Sequence, residues 1–124
     1  MMSLDQIANS YKQSENMYVK GIETPHGRVK IIFDQLEINI ESLIEKHPKT
    51  DFIAFGKVIQ CLKILSDSLD HEKGKGLADQ LNELYDYCLR TVKSYLTEKD
   101  EAKLKEVLSI VNQLSESWNS IEPK

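Results

Sequence analysis

The amino-acid sequence predicts an all-α fold, an antiparallel up-down-up-down four-helix bundle preceded by a short N-terminal segment or helix. Three observations carry this prediction. Apolar residues recur at three-and-four spacing over four long stretches, the signature of helices with one buried face. The breaks between the stretches are only a few residues long, which makes sequence neighbours antiparallel. Strand-like alternation, internal repeats and low-complexity tracts are all missing from the 124 residues.

The elements follow in order. Residues 1–23 are polar, with scattered Leu4, Ile7, Tyr11, Met17 and Tyr18, and allow a short helix around Leu4–Gln13. Thr24-Pro25 opens the first long helix. A threonine can accept a backbone bond as N-cap, and proline suits the first helical position, where its missing N–H would be unpaired anyway. Val29, Ile32, Phe33, Leu36, Ile40, Leu43 and Ile44 then mark one face, and the helix ends before His47-Pro48, because proline pushes its predecessor out of the α region. The second helix spans about Asp51 to Leu69, with Thr50 as a cap and Phe52, Phe55, Val58, Ile59, Leu62, Leu65 and Leu69 inward. Residues 70–76, with glycines at 74 and 76, read as a turn. The third helix runs from about Leu77 to Leu96 on Leu77, Leu81, Leu84, Tyr85, Cys88, Val92 and Tyr95. After a break at 97–100, capped by Asp100, the fourth carries Leu104, Val107, Leu108, Val111, Leu114, Trp118 and Ile121. The whole chain, 1–124, reads as one domain: an N-terminal segment at 1–23 and a four-helix core at 24–122.

Composition bounds the function. Hydrophobic residues make up 40 % and charged residues 29 %, ordinary for a globular domain. A net charge of −4 speaks against nucleic-acid binding, which needs a concentrated positive field. Neither a signal-peptide pattern nor a membrane-length apolar run occurs, so a cytoplasmic protein without membrane insertion is expected. Cys61 and Cys88 fall inside predicted helices and read as reduced apolar residues.

Catalytic and metal constellations fail their structural context. His71-Glu72-Lys73 places lysine two residues after histidine, where a phosphotransfer histidine has it three on, and the predicted turn removes the helical setting. Glu23-Thr24-Pro25-His26 has the letters of a di-iron motif but straddles a helix start and has no second copy. His26, His47 and His71 all fall at helix ends, where solvated or capping roles suffice, and the two cysteines lack partner histidines at ligand spacing. Neither a phosphate loop nor a Gly-x-Ser-x-Gly elbow is present. Lys103, Lys105, Glu106 and Glu116 read as a solvated face. The expectation is a non-enzyme without cofactor or metal.

What remains is apolar surplus. Ile31 and Ile38 point away from the first helix's core stripe. Ile53, Cys61 and Ile64 leave the second helix's face, and Tyr87 and Leu89 flank the third's. Single exposed hydrophobes are ordinary, but together they predict grooves that bind another protein chain.

The stretch Leu69-Asp70-His71-Glu72-Lys73-Gly74-Lys75-Gly76-Leu77-Ala78-Asp79-Gln80-Leu81-Asn82-Glu83-Leu84-Tyr85-Asp86-Tyr87 resembles the central motif of the flagellar secretion chaperones, the FliS family: Leu-Asp-x-Glu-x-Gly-Gly, an apolar residue and Ala, then Leu and Leu-Tyr-x-Tyr. Asn9-Ser10-Tyr11 is similar to the family's Asn-Ala-Tyr. Thr24-Pro25 stands where Ser-Pro opens its first bundle helix, and Trp118 stands near the end of the last. The sequence departs from the pattern at Gly74-Lys75 in place of Gly-Gly, at Gly27 in place of an acidic residue, at Ile32-Phe33-Asp34-Gln35, and in a longer N-terminal spacer. These departures suit a divergent member or specialised paralogue. The resemblance implies a cytoplasmic export chaperone that binds the disordered C-terminal segment of flagellin, prevents premature polymerisation and hands the client to a flagellar export gate component of the type III apparatus. Implied partners include other flagellar regulators, with the protein a monomer or weak homo-oligomer. Ile7 and Tyr11 would cover apolar surface that the client also uses. A helical adaptor for another client, such as a secretion co-chaperone or an anti-sigma-factor binder, is the alternative; a histidine phosphotransfer domain ranks below both.

Overall fold

The structure is a computed structural model and describes residues 25–120. Four helices fill this range: α1 (Pro25–Lys46), α2 (Phe52–Asp67), α3 (His71–Glu98) and α4 (Glu101–Asn119). They form the expected antiparallel bundle, with α1 against α2 and α4, and α3 against the same two. The core runs the length of the bundle, from Phe33 and Trp118 at one end, whose ring centroids lie 6.5 Å apart, to Tyr95 at the other. Phe33, Leu36, Ile40, Leu43, Leu65, Tyr85, Cys88, Val92 and Leu104 are among its fully enclosed side chains. Ile32, Ile44, Phe55, Ile59, Leu77, Leu108 and Leu114 are only partly buried and pack against it from the rim.

Three local features depart from the sequence reading. Asp51, not Thr50, caps α2: its carboxylate accepts from the Ala54 N–H at 3.1 Å. The same carboxylate accepts from Ser42 and Lys46, each at 2.9 Å, so it pins the α1–α2 turn as well as the helix. Asp100 caps α4 as expected, accepting from the Ala102 N–H at 3.0 Å.

The buried stripe of α2 is Ala54, Val58, Cys61, Leu62 and Leu65. At 3.6 residues per turn it is rotated by roughly 60° from the predicted face. The rotation turns Cys61 inward and leaves Phe52 72 % exposed, which reverses both assignments. Phe52 is the first residue of the helix, at the tip of the bundle, where the neighbouring helices end; its size weighted the sequence pattern toward a face that the packing does not use.

Residues 71–76 are helical rather than a turn. Asp70 accepts from the Glu72 N–H at 3.1 Å and its carbonyl takes the Gly74 N–H at 2.7 Å, so α3 begins two turns earlier than the glycines suggest. Each of the two glycines inside the helix costs about 1 kcal/mol relative to alanine, so the Asp70 cap offsets about one of them and the packing of Ala78 and Leu81 carries the rest. A Cβ at Gly76 would meet nothing within 4 Å. Gly76→Ala is therefore expected to stabilise the protein by about 0.4–1 kcal/mol in chemical denaturation, by lowering the entropy of the unfolded chain.

The Asp51 network gives the fold a pH dependence. Hydrogen bonds from Lys46, Ala54 and Ser42 hold the Asp51 carboxyl well below the ordinary carboxylate value, at about 2. A depressed carboxyl contributes stability that is complete above its unfolded pKa and lost as pH falls through the folded one. This contribution is thus expected to fade between about pH 4 and pH 2. Asp51→Asn should flatten the acid limb of a pH–stability curve over that window. Glu37 has the opposite sign: burial raises its pKa, the Ser115 hydroxyl bond partly counters this, and nearby Asp34, Glu41 and Glu116 add to the rise. Its contribution is present at low pH and disappears as pH climbs through the raised value.

Candidate functional site

The predicted surface residues scatter over the bundle rather than converge on one pocket. Ile7 and Tyr11 lie outside the described residues. On α1, Ile38 is 58 % exposed and Ile31 half-buried. Ile53 is 75 % exposed at the start of α2. Ile64 and Leu89 are partly buried and lie against the core rather than protruding, and of the two only Leu89 lines a groove. Tyr87 is 38 % exposed, and its hydroxyl donates to the Glu106 carboxylate at 2.9 Å, tying α3 to α4.

Two concave surfaces stand out among the described residues. The first is an open cleft of about 550 Å³ at the tip, lined by Lys46, Lys49, Thr50, Asp51, Phe52 and Ile53. Its floor is rigid. The His47 Nδ1 and the buried Tyr95 hydroxyl are hydrogen-bonded at 2.6 Å, and Lys99 donates to Thr50 while its ammonium sits 5.2 Å from the Tyr95 ring centroid. The second is a narrower groove of about 210 Å³ between α2 and α3. Leu62, Tyr85 and Leu89 supply its apolar part, with Ser66 and Asn82 hydrogen-bonded across it. Phe52 is the site residue that sequence reasoning missed. The signal was present in Asp51, a better N-cap than Thr50, which would have placed Phe52 in the exposed first turn.

The titratable groups offer little chemistry. Burial pushes both cysteine thiols up, Cys88 to about 12, so neither is a thiolate near neutral pH. His71 lies in the first turn of α3, exposed, with its Nδ1 2.8 Å from the Asp79 carboxylate. The turn that spoke against phosphotransfer is thus absent; the lysine spacing still does not match. Among the described residues, His, Cys, Asp and Glu form no group of three or more able to hold a metal, and no helix is long and apolar enough to cross a membrane.

Comparison with known proteins adds the family context. The family model described as flagellar protein FliS matches residues 7–124. The flagellar secretion chaperone FliS of Salmonella typhimurium is 27 % identical over 106 residues, covering 82 % of this chain and 78 % of that one. The flagellar secretion chaperone FliSB of Pseudomonas aeruginosa is 32 % identical over 69 residues, 56 % of this chain and 55 % of its own. The FliS chaperone of Vibrio cholerae is 26 % identical over 69 residues, 56 % of this chain and 51 % of its own.

Proposed function

Because the chain belongs to the FliS family of flagellar proteins, we propose that it is a cytoplasmic flagellar export chaperone that binds the disordered C-terminal segment of flagellin, prevents its premature polymerisation and delivers it to the type III export apparatus. The observation that carries the reading is a bundle with an enclosed apolar core that nonetheless leaves Ile38, Phe52 and Ile53 largely in water. Holding a client needs no catalytic group. It needs apolar surface on a scaffold that does not itself unfold, and an order-on-binding client supplies the rest of the interface. Membership in a family whose similar relatives are named flagellar secretion chaperones supports the client class.

Calorimetric titration with the C-terminal segment of flagellin from the same organism tests the proposal. Sub-micromolar binding with a large negative heat-capacity change is expected from coupled folding onto apolar surface. Absence of binding at tens of micromolar overturns the flagellin assignment. Ile38→Asp should weaken binding about tenfold, since burying the exposed half of an isoleucine is worth about 1–1.5 kcal/mol. Its circular dichroism melt should stay within about 0.5 kcal/mol of the parent, as for other surface changes.

A further inference from the structure

We infer that the start of α1 and the end of α2 form a buried oxyanion site, with the Arg28 guanidinium as its fork and the Ser68 hydroxyl as a further donor, and that its ligand is a carboxylate or phosphate group. The site lies apart from the tip cleft and the α2–α3 groove, and the inference does not rest on the chaperone reading.

Arg28 is the fourth residue of α1 and only 6 % exposed. Its Nε and Nη2 atoms are shielded from water and find no hydrogen-bond partner among the described residues, and the Ser68 Oγ is in the same state. Helical phase brings the two together. Lys46 bonds Asp51 at the head of α2, so the Lys46 side of α1 faces α2. Arg28 precedes Lys46 by eighteen residues, about five turns, and shares that side. Eighteen residues along the antiparallel α2 from Asp51 end at Leu69, so Arg28 lies about level with Ser68. Ser66 bonds Asn82 of α3; Ser68, turned about 200° from it and 0 % exposed, faces α1.

The electrostatics suit an anion. Three N–H groups on Nε and Nη2 and one hydroxyl meet there. Cα–Cβ bonds lean toward a helix's N-terminus, so the Arg28 side chain is carried back over the first turn of α1. That turn holds no acidic residue, and a helix N-terminus carries about half a positive charge. Of the nearby carboxylates, Asp67 lines the α2–α3 groove on the other side of α2, and Asp70 accepts from the Glu72 N–H. At the α2 C-terminus, the Ser68 and Leu69 N–H groups already cover the Ile64 and Ser66 carbonyls. A planar guanidinium matches two oxygens of a carboxylate or phosphate in a bidentate pair. A water molecule would accept from at most two of the four donors and leave the charge uncompensated. An oxyanion accepts from all four and returns the solvation that burial takes from the guanidinium.

The test follows the chemical-denaturation midpoint of the full chain as inorganic phosphate is raised, and in a second series acetate, with ionic strength held constant by sodium chloride. In the parent the midpoint should climb with the logarithm of phosphate concentration, as for any ligand that binds only the folded state. In Arg28→Met it should stay level, and Arg28→Lys should respond only at about tenfold higher phosphate, because an ammonium lacks the fork. Arg28 and Arg90 are the only arginines of the chain, so a nitrogen-correlated spectrum has two Nε–H resonances to follow. Phosphate should shift that of Arg28 and spare that of Arg90, which already bonds Asp86 at 3.0 Å. A response to acetate as well assigns the site to carboxylate groups; a response to phosphate alone assigns it to phosphate. A parallel climb in the parent and Arg28→Met would be general salt exclusion and overturns the inference, as does a level midpoint in the parent with both Nε–H resonances unmoved.

Discussion

Phe33→Ala is expected to lower the unfolding free energy by about 3–5 kcal/mol, the cost of deleting a large buried ring whose cavity the neighbours cannot fully close. Phe33 is almost wholly enclosed and faces Trp118 across the α1–α4 contact. Against a total stability of roughly 5–15 kcal/mol the loss is severe. For a domain of this size it corresponds to a drop in melting temperature of roughly 12–19 °C. Trp118 is the only tryptophan in the chain, so its fluorescence reports the same site: the native emission should shift toward that of a solvated indole. A loss below about 1 kcal/mol would mean that this end of the core is not packed as described. Set beside Ile38→Asp, the variant separates two kinds of apolar residue. Phe33 should abolish binding only by unfolding the scaffold, whereas Ile38 should alter binding at constant stability.

Most of the fold was legible because helical periodicity reports burial directly. The stripes of the first and fourth helices, Val29–Leu43 and Leu104–Trp118, fall inward as their spacing predicts. The third helix was legible from Leu77 onward, but its first six residues were hidden. Two glycines argued locally for a turn, and only the Asp70 cap together with the packing of Ala78 and Leu81 makes a helix there favourable. For the second helix, spacing determined the period but not the phase, since Phe52 and Cys61 compete for the inward direction and packing against two neighbours decides between them. Candidate binding residues were legible as apolar surplus. What the sequence could not carry was their grouping: the tip cleft depends on where the α1–α2 turn lands, and the groove depends on how α2 and α3 align, with Ser66 meeting Asn82.

Arg28→Met is expected to raise stability by about 1–4 kcal/mol, the range seen when a buried charge is replaced by an apolar side chain of similar length. Arg28 is buried near the start of α1, and among the described residues its Nε and Nη2 atoms find no hydrogen-bond partner. A guanidinium removed from water without compensating acceptors loses solvation that nothing returns. Methionine keeps an unbranched apolar stem and discards the orphaned donors. Arg28→Lys keeps the charge and should give no such gain, which separates relief of desolvation from a change in packing. Ser68 poses the same problem on a smaller scale at the same end of the bundle. Its hydroxyl is buried and has no partner among the described residues, while its backbone N–H, bonded to the Ile64 carbonyl at 3.0 Å, makes the α2 C-cap. Ser68→Ala retains the cap and removes the hydroxyl, so a gain of about 1 kcal/mol is expected. Equilibrium denaturation of the single and double variants is the measurement. A loss of more than about 1 kcal/mol in Arg28→Met with none in Arg28→Lys would overturn the reading, since it would mean that the charge at this position is compensated.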